Sequence, residues 1–215
     1  MSFFDKLLEY EIKNNFKKLN YIESTGTQWI DSKWFAPLNT SYKIETEFYF
    51  TAQGAEGFAN FCGVNTSNGG GANSFYNIQQ NGVYINSIQI RNGDNADTNV
   101  IQCPISKTDF NYFSIEFNGD NNSPQSIIKV NENSYTVTSS VRNQGLYNLY
   151  IFIGNRGGLA WRATKARMKY FRIYENYEMK RNFNPVLDKV KIPCLYDKIS
   201  KSFFYNQGTG TFLYN

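Results

Sequence analysis

Residues 42–50 read YKIETEFYF, a stretch in which apolar and polar side chains alternate from one residue to the next. Alternation with a period of two is typical of a β-strand that buries one face and exposes the other. The stretch therefore predicts an amphipathic strand. Its apolar face would carry Ile44, Thr46 and Phe48, and its polar face Lys43, Glu45, Glu47 and Tyr49.

Short β-runs of this kind recur along the rest of the chain. Aromatic residues, which favour strands, make up 17% of the sequence. Clusters of Asn, Gly, Ser and Asp separate the runs, and these residues are typical of turns. About a dozen short strands without a second helix predict an all-β, two-sheet antiparallel sandwich. The further strand-like runs are 58–64, 74–78, 83–90, 112–117, 126–130, 134–138, 149–154 and 166–174.

Residues 2–19 have apolar residues at helical spacing and predict one N-terminal amphipathic helix. A helix of this length is marginal alone in water, so it needs a surface to pack on. It either folds back on its own domain or docks on a neighbouring chain. We favour docking and predict that residues 1–19 form an anchoring helix. The anchor residues would be Phe4, Leu8, Ile12, Phe16 and Leu19.

Charge and cysteine content exclude several kinds of site. The 22 basic and 18 acidic residues give a net charge of +4 without long runs, which argues against a dedicated nucleic-acid binder. The chain has no histidine, so a zinc site that contains histidine is excluded, and three cysteines are one short of a four-thiolate site. We expect Cys62, Cys103 and Cys194 to be buried free thiols, with a Cys62–Cys103 bridge as the alternative.

No segment approaches the 18 consecutive apolar residues of a membrane span, and charged residues interrupt the N-terminal stretch where a signal peptide has its apolar core. We therefore expect no membrane span and no signal peptide. The chain would be made in a cytoplasm without an export signal.

Catalytic motifs are weak. The closing stretch NQGTG (206–210) lacks the lysine and the following helix of a phosphate-binding loop, so its glycines are expected in turns. Glu45 and Glu47 share one strand face, as a glycoside-hydrolase pair would, but a solvated polar face explains them better. Without histidine, a Ser-His-Asp or Cys-His unit is excluded. We predict that the chain is not an enzyme.

Two loops carry oxygen ligands of the kind that calcium prefers. Neither has the EF-hand spacing, and Asp and Asn are also typical of Asx-turns. We predict no cofactor and no metal site, with calcium as the alternative. The loop residues are Asp94 and Asp97 in one loop and Asp120, Asn121 and Asn122 in the other.

Residues 161–172, WRATKARMKYFR, mix basic and aromatic side chains. Lys165, Arg167 and Lys169 would line one strand face, which is either solvated or part of a groove for a sugar or an acidic surface. An exposed tryptophan gives a flat platform for a sugar ring, and nearby Asn or Arg side chains bind hydroxyls. The candidate glycan-binding residues are Trp161, Arg162, Asn155 and Arg156.

Three stretches together resemble the concanavalin A-like lectin/glucanase superfamily, of the laminin-G-like type found in bacteriophage and gut-bacterial proteins. YIESTGTQWIDS (21–32) resembles its opening strand, KARMKYFRIYENYEMKRNFNPV (165–186) its late hairpin, and LYDKISKSFFYNQGTGTF (195–212) its closing hairpin. The resemblance implies a jelly-roll over residues 20–215 with its first and last strands close together.

Members of this superfamily bind glycans, hydrolyse them or mediate assembly, so the resemblance leaves function open. The E-x-D-x-x-E strand of the catalytic branch is absent, since IETEF lacks the central Asp and Glu116 and Asp120 stand in a different register. We predict a non-enzymatic bacteriophage virion protein, in capsid decoration or a fibre, whose residues 1–19 bind other virion subunits in a homo- or hetero-oligomer. It would also bind host glycans. The alternative is a carbohydrate-binding lectin module of a bacterial surface protein, and a glycoside hydrolase ranks third.

Overall fold

The computed structural model describes residues 16–37, 40–52, 58–65, 72–80, 83–93, 98–102, 105–106, 108–120, 122–123, 125–138 and 147–215. Within these residues the chain consists of β-strands in two sheets that pack face to face around one main core. The predicted all-β sandwich is therefore confirmed. The described part of the chain holds no helix of the length and hydropathy that a membrane span requires.

The larger sheet contains eleven strands. They are β1 (Phe16–Lys18), β2 (Ile22–Thr25), β4 (Tyr42–Ala52), β9 (Asn111–Phe117), β10 (Gln125–Val130), β11 (Asn133–Thr138), β15 (Lys165–Glu175), β16 (Glu178–Asp188), β17 (Pro193–Asp197), β18 (Ser202–Phe204) and β19 (Leu213–Tyr214). The main path runs β11-β10-β9-β4-β15-β16-β17-β18. In addition, β2 pairs with β15 and β19, and β1 pairs with β16.

The smaller sheet contains eight strands. They are β3 (Ile30–Asp31), β5 (Phe58–Asn65), β6 (Ala72–Gln80), β7 (Val83–Gly93), β8 (Thr98–Gln102), β12 (Tyr150–Ile151), β13 (Gly154–Arg156) and β14 (Leu159–Trp161). The main path runs β14-β13-β5-β6-β7-β8, and β12 pairs with β3 and β5. Strand β13 lies parallel to β5, while its partner β14 is antiparallel and forms the edge of the sheet.

Strand β4 has the alternation that its sequence predicts, with Ile44, Thr46 and Phe48 buried. The ring centroid of Phe48 lies 4.9 Å from that of Phe61 in β5, so aromatic contacts join the two sheets. The Thr46 hydroxyl donates to the carbonyl oxygen of Tyr170 at 2.7 Å. This bond satisfies the polar atom on the core face of the strand.

Strand β2, which lies in the opening motif, and the last strand β19 are neighbours, as the family resemblance implies. Leu213 pairs with Glu23, and Tyr214 pairs with Ile22. The backbone N–H of Asn20 also donates to the terminal residue's carbonyl at 2.6 Å. The closing stretch therefore completes the larger sheet beside the opening strand.

The predicted helix 2–19 is wrong for its last turn, because Phe16–Lys18 form strand β1. These residues pair with Val186–Asp188 of β16, and the Phe16 ring packs 4.7 Å from that of Tyr196. Leu19 packs against the main core. Two of the five predicted anchor residues thus pack within this chain, because sheet pairing and aromatic contacts satisfy them there. Phe4, Leu8 and Ile12 lie outside the described residues.

Cys62 and Cys194 are buried free thiols, so the alternative of a Cys62–Cys103 bridge is wrong. Burial raises the pKa of the Cys62 thiol well above its usual value, and it raises that of Cys194 to about 12. Neither thiol is a nucleophile at neutral pH, because the thiolate is the reactive form. Cys103 lies outside the described residues.

Candidate functional site

The predicted glycan-binding residues lie on and beside one hairpin, formed by β13 and β14 at the edge of the smaller sheet. Gly157 and Gly158 have φ angles of 62° and 90° and form a two-residue turn that favours glycine at both positions. In this hairpin Arg156 is paired with Leu159, and Gly154 with Trp161. Since side chains of paired residues share a face, Arg156 and Leu159 project together.

Two arginines lie over the Trp161 indole. The guanidinium carbon of Arg162 is 4.2 Å from the ring centroid, and that of Arg156 is 5.0 Å away. Both distances fall in the range of cation–π attraction. Arg156 is exposed and, among the described residues, makes no ion pair, while Leu159 is 74% exposed. The hairpin thus presents an aromatic ring, an apolar side chain and positive charge at one edge.

Asn155, one of the predicted glycan-binding residues, is buried and positions the turn of this hairpin. Its side chain is buried, with 2% exposed. The amide nitrogen donates to the carbonyl of Asn148 at 2.9 Å, and the amide oxygen accepts from the N–H of Gly158 at 2.8 Å. Both ends of the amide are therefore used to fix the turn.

Asn60 of β5 hydrogen-bonds to the backbone at the end of the hairpin. Sequence patterns do not reveal this contact, because Asn60 and Trp161 are 101 positions apart. Its amide nitrogen donates to the carbonyl of Trp161 at 3.0 Å, and its backbone N–H donates to that of Arg162 at 2.8 Å. A Cβ on Gly154 would overlap the Asn60 amide, so that position requires glycine. The Asn60 side chain thereby fixes the backbone that carries Trp161 and Arg162.

Glu45, one half of the predicted acid pair, lies in a hydrogen-bonded network on the outer face of β4. Its carboxylate is 2.8 Å from Lys43 Nζ and accepts from the hydroxyls of Tyr174 at 3.0 Å and Tyr112 at 3.3 Å. Burial acts to raise the pKa of Glu45, but the bonds from Lys43 and Tyr174 outweigh it and lower the pKa. A glycosidic general acid needs a raised pKa, so this carboxylate does not fit that role.

Acidic partners neutralise part of the predicted basic face. Lys165, Arg167 and Lys169 alternate outward along β15, as predicted. Arg167 Nε donates to Glu23 at 2.7 Å, and Lys169 Nζ donates to Glu47 at 2.8 Å. These surface ion pairs leave no continuous basic groove along this part of β15. The second half of the predicted acid pair, Glu47, therefore serves as a counter-ion.

The loop that contains Asp120 is held by Asx-turns. Asn118 Oδ1 accepts from the N–H of Asp120 at 3.1 Å, and Asp120 Oδ1 accepts from that of Asn122 at 2.8 Å. Across the described ranges no group of three or more Cys, Asp or Glu residues could hold a metal ion. Asp94, Asp97 and Asn121 lie outside those ranges.

No protein-family model matches the sequence, and no curated protein matches it. Solved structures are similar at the level of the fold. A proposed carbohydrate-binding protein from Bacteroides ovatus matches 93% of this chain with a TM-score of 0.59 and 11% identity, and this chain spans 60% of its length. A heptameric SAP-like pentraxin from Limulus polyphemus matches 74% of this chain with a TM-score of 0.53 and 10% identity, over 76% of its own length.

At such low sequence identity the structural similarity shows the fold of this chain and does not identify its ligand. The two-sheet topology, the paired opening and closing strands and these structural matches agree with one another. The chain therefore has the jelly-roll fold of the concanavalin A-like lectins.

Proposed function

We propose that this chain is a non-enzymatic carbohydrate-binding module whose β13–β14 hairpin binds acidic glycans. The observation that carries the proposal is the cluster of Arg156, Trp161 and Arg162 at an exposed sheet edge. The similar structure of a proposed carbohydrate-binding protein supports the general class of ligand. The proposal agrees with the lectin alternative from the sequence better than with the virion hypothesis.

The chemistry of the hairpin favours a negatively charged sugar. A guanidinium group binds a carboxylate through two parallel hydrogen bonds, and exposed Arg156 has its donors available for such a group. An indole edge or face packs against the C–H groups of a pyranose ring. A uronic acid residue within a polysaccharide offers both features at once.

The absence of enzymatic activity is also part of the proposal. The lowered pKa of Glu45 and the ion pair of Glu47 with Lys169 leave this pair without a proton donor for glycosidic cleavage. The chain also has no histidine. A binding module needs neither a proton donor nor a histidine.

Calorimetric titration with oligogalacturonides and with neutral cello-oligosaccharides tests the proposed function. We expect binding of the acidic series, weakened by added salt because the contacts are charged. Trp161→Ala and Arg156→Gln should each weaken binding at least about tenfold, which corresponds to about 1.4 kcal/mol. Lys189→Gln, which removes an exposed charge from the β16–β17 turn, is the matched control and should bind as the wild type does.

If neither series binds, the glycan-binding function is wrong. If the acidic series binds equally to wild type and to both hairpin variants, the function holds but the assigned site is wrong. The virion role, its subunit partners and its localisation stay predictions from the sequence. Phe4, Leu8 and Ile12 of the predicted anchor lie outside the described residues.

A further inference from the structure

A small cavity lies where the β15–β16 hairpin meets the beginning of β4. Its volume is about 80 Å³. That value is about half of the roughly 150 Å³ of a cavity that takes benzene. The cavity therefore suits a substituent of a few heavy atoms better than a whole sugar ring. Its walls are Ser41, Tyr42, Lys43, Glu116, Tyr174 and Tyr177.

One wall of the cavity follows the pairing of three strands. Lys43 of β4 is paired with Glu116 of β9 on one side and with Tyr174 of β15 on the other. The Lys43 ammonium is directed to Glu45 at 2.8 Å and lies 4.5 Å from the centroid of the Tyr174 ring. Glu116 is half-buried, and within the described residues nothing forms an ion pair or a hydrogen bond with its carboxylate. It is an open acceptor in the cavity wall.

Tyr177 stands at the mouth of this cavity in an unusual backbone conformation. Asn176 and Tyr177 have φ angles of 46° and 67° and form the two-residue turn between β15 and β16. Such turns favour Asn-Gly, so tyrosine at the second position is strained. The Asn176 N–H donates to the carbonyl of Ser41 at 2.8 Å and ties the turn to the cavity rim. The Tyr177 side chain, 84% exposed, is thus held in a strained turn without packing to offset the cost.

From this arrangement we infer that the cavity binds the N-acetyl group of an amino sugar whose pyranose ring stacks on Tyr177. The acetamido N–H donates to the open carboxylate of Glu116. The methyl group contacts the tyrosine rings of the cavity wall, which are apolar on their faces. This role would account for the strained backbone of Tyr177, because the turn holds an exposed ring beside the cavity.

This site is separate from the β13–β14 hairpin and does not depend on it. The hairpin belongs to the smaller sheet, whereas the cavity belongs to the larger one. The two sites also differ in ligand chemistry, since one takes an acidic sugar and the other a neutral N-acetylated sugar. Each assignment therefore fails or holds on its own.

Saturation-transfer NMR and calorimetry with the methyl β-glycosides of N-acetylglucosamine and N-acetylgalactosamine test the inference on the full chain. We expect at least one to bind with a Kd of about 1 mM, a usual strength for one small ligand. The methyl glucoside, which lacks the acetamido group, should bind at least about tenfold more weakly.

The variants separate binding from folding. Tyr177→Gly removes the ring and suits the turn, so it should unfold at the same or a higher temperature while binding at least about tenfold more weakly. Tyr177→Phe keeps the ring and should bind as the wild type does. Glu116→Met keeps the side-chain length without an acceptor and should also weaken binding about tenfold. Tyr214→Ala, at an exposed tyrosine of β19, is the control that should leave this Kd unchanged.

The inference is overturned if neither N-acetyl sugar binds at about 20 mM, well above the expected Kd. It is also overturned if the glucoside binds equally well. Wild-type affinity in folded Tyr177→Gly and Glu116→Met would overturn it as well.

Discussion

Gly208 packs against the carbonyl oxygen of Thr27 so closely that a Cβ on residue 208 would overlap that oxygen. Backbone bonds on both sides hold the contact in place. The N–H of Gln207 donates to the carbonyl of Trp29 at 2.9 Å, and that of Thr209 donates to Thr27 at 3.1 Å. The glycine-rich closing loop is therefore pinned to the chain that follows the opening strand.

Gly208→Ala should be strongly destabilising. The added methyl group meets backbone on a segment that cannot shift without breaking the two flanking bonds, so we expect a loss of about 3 kcal/mol in the free energy of unfolding. Urea unfolding measures this loss. Thr209→Ala, which removes an exposed side chain one residue later, is the control and should change stability by less than about 0.5 kcal/mol. Equal midpoints for the two variants would contradict the close contact.

Asp197 is fully buried and organises the turn between β17 and β18. Its carboxylate accepts from the N–H groups of Asn182, Ile199 and Ser200 and from the Ser200 hydroxyl. An amide has a single acceptor oxygen, so Asp197→Asn turns an NH₂ group toward some of these donors. We expect it to cost about 2 kcal/mol of stability.

Thermal and urea unfolding of Asp197→Asn, beside Asp109→Asn, measures the effect. Asp109 is exposed, and its carboxylate accepts one hydrogen bond, from the backbone N–H of Phe110. Asp109→Asn should therefore lose well under half as much stability as Asp197→Asn. A similar small loss in both variants would show that the buried carboxylate is not needed for this turn.

The sequence predicts the elements whose signal is local or matches a family motif. The alternation of 42–50 is visible without knowledge of its neighbours, and the glycines in NRGG mark the β13–β14 turn. The pairing of opening and closing strands follows from the family motifs. Trp161 and Arg162 are adjacent in the sequence itself, and cross-strand pairing then brings Arg156 to them.

The missed features depend on contacts distant in the sequence. Phe16 and Leu19 fit a helical stripe, yet Phe16–Lys18 form a strand because they pair with β16. A pattern of three residues is too short to distinguish a helix from a strand. Asn155 is in a turn-rich stretch that suggests exposure, but its amide is buried by bonds to Asn148 and Gly158.

The pairing of β1 with β16 predicts that two N-terminal truncations differ. A chain that starts at residue 16 keeps β1 and the contacts of Phe16 with Tyr196 and Phe203. A chain that starts at residue 20 loses these contacts and the packing of Leu19 on the core. We expect the shorter chain to be less stable by about 3 kcal/mol, typical of losing large apolar contacts. Urea unfolding of both chains checks this, and equal stability would mean that β1 does not contribute to the sheet.

The Glu45 network predicts a pH dependence of stability. The carboxylate has its pKa lowered in the folded protein, because bonds from Lys43 and Tyr174 outweigh the opposing effect of burial. An unfolded glutamate has a pKa of about 4.3. The ionised form therefore stabilises the fold above this pH, and the contribution is lost as pH falls through the lower, folded pKa. Glu45→Gln has no carboxylate to titrate, so its deficit relative to wild type should be largest near pH 7 and shrink toward pH 3.

Urea midpoints of wild type and Glu45→Gln at several pH values measure this convergence. Glu178→Gln is the matched control, because Glu178 is exposed and pairs with Lys180 at the surface. Its difference from wild type should stay near zero at every pH, since exposed pairs contribute little. A Glu45→Gln deficit that does not change between pH 7 and pH 3 would mean that the ionised carboxylate does not stabilise the outer face of β4.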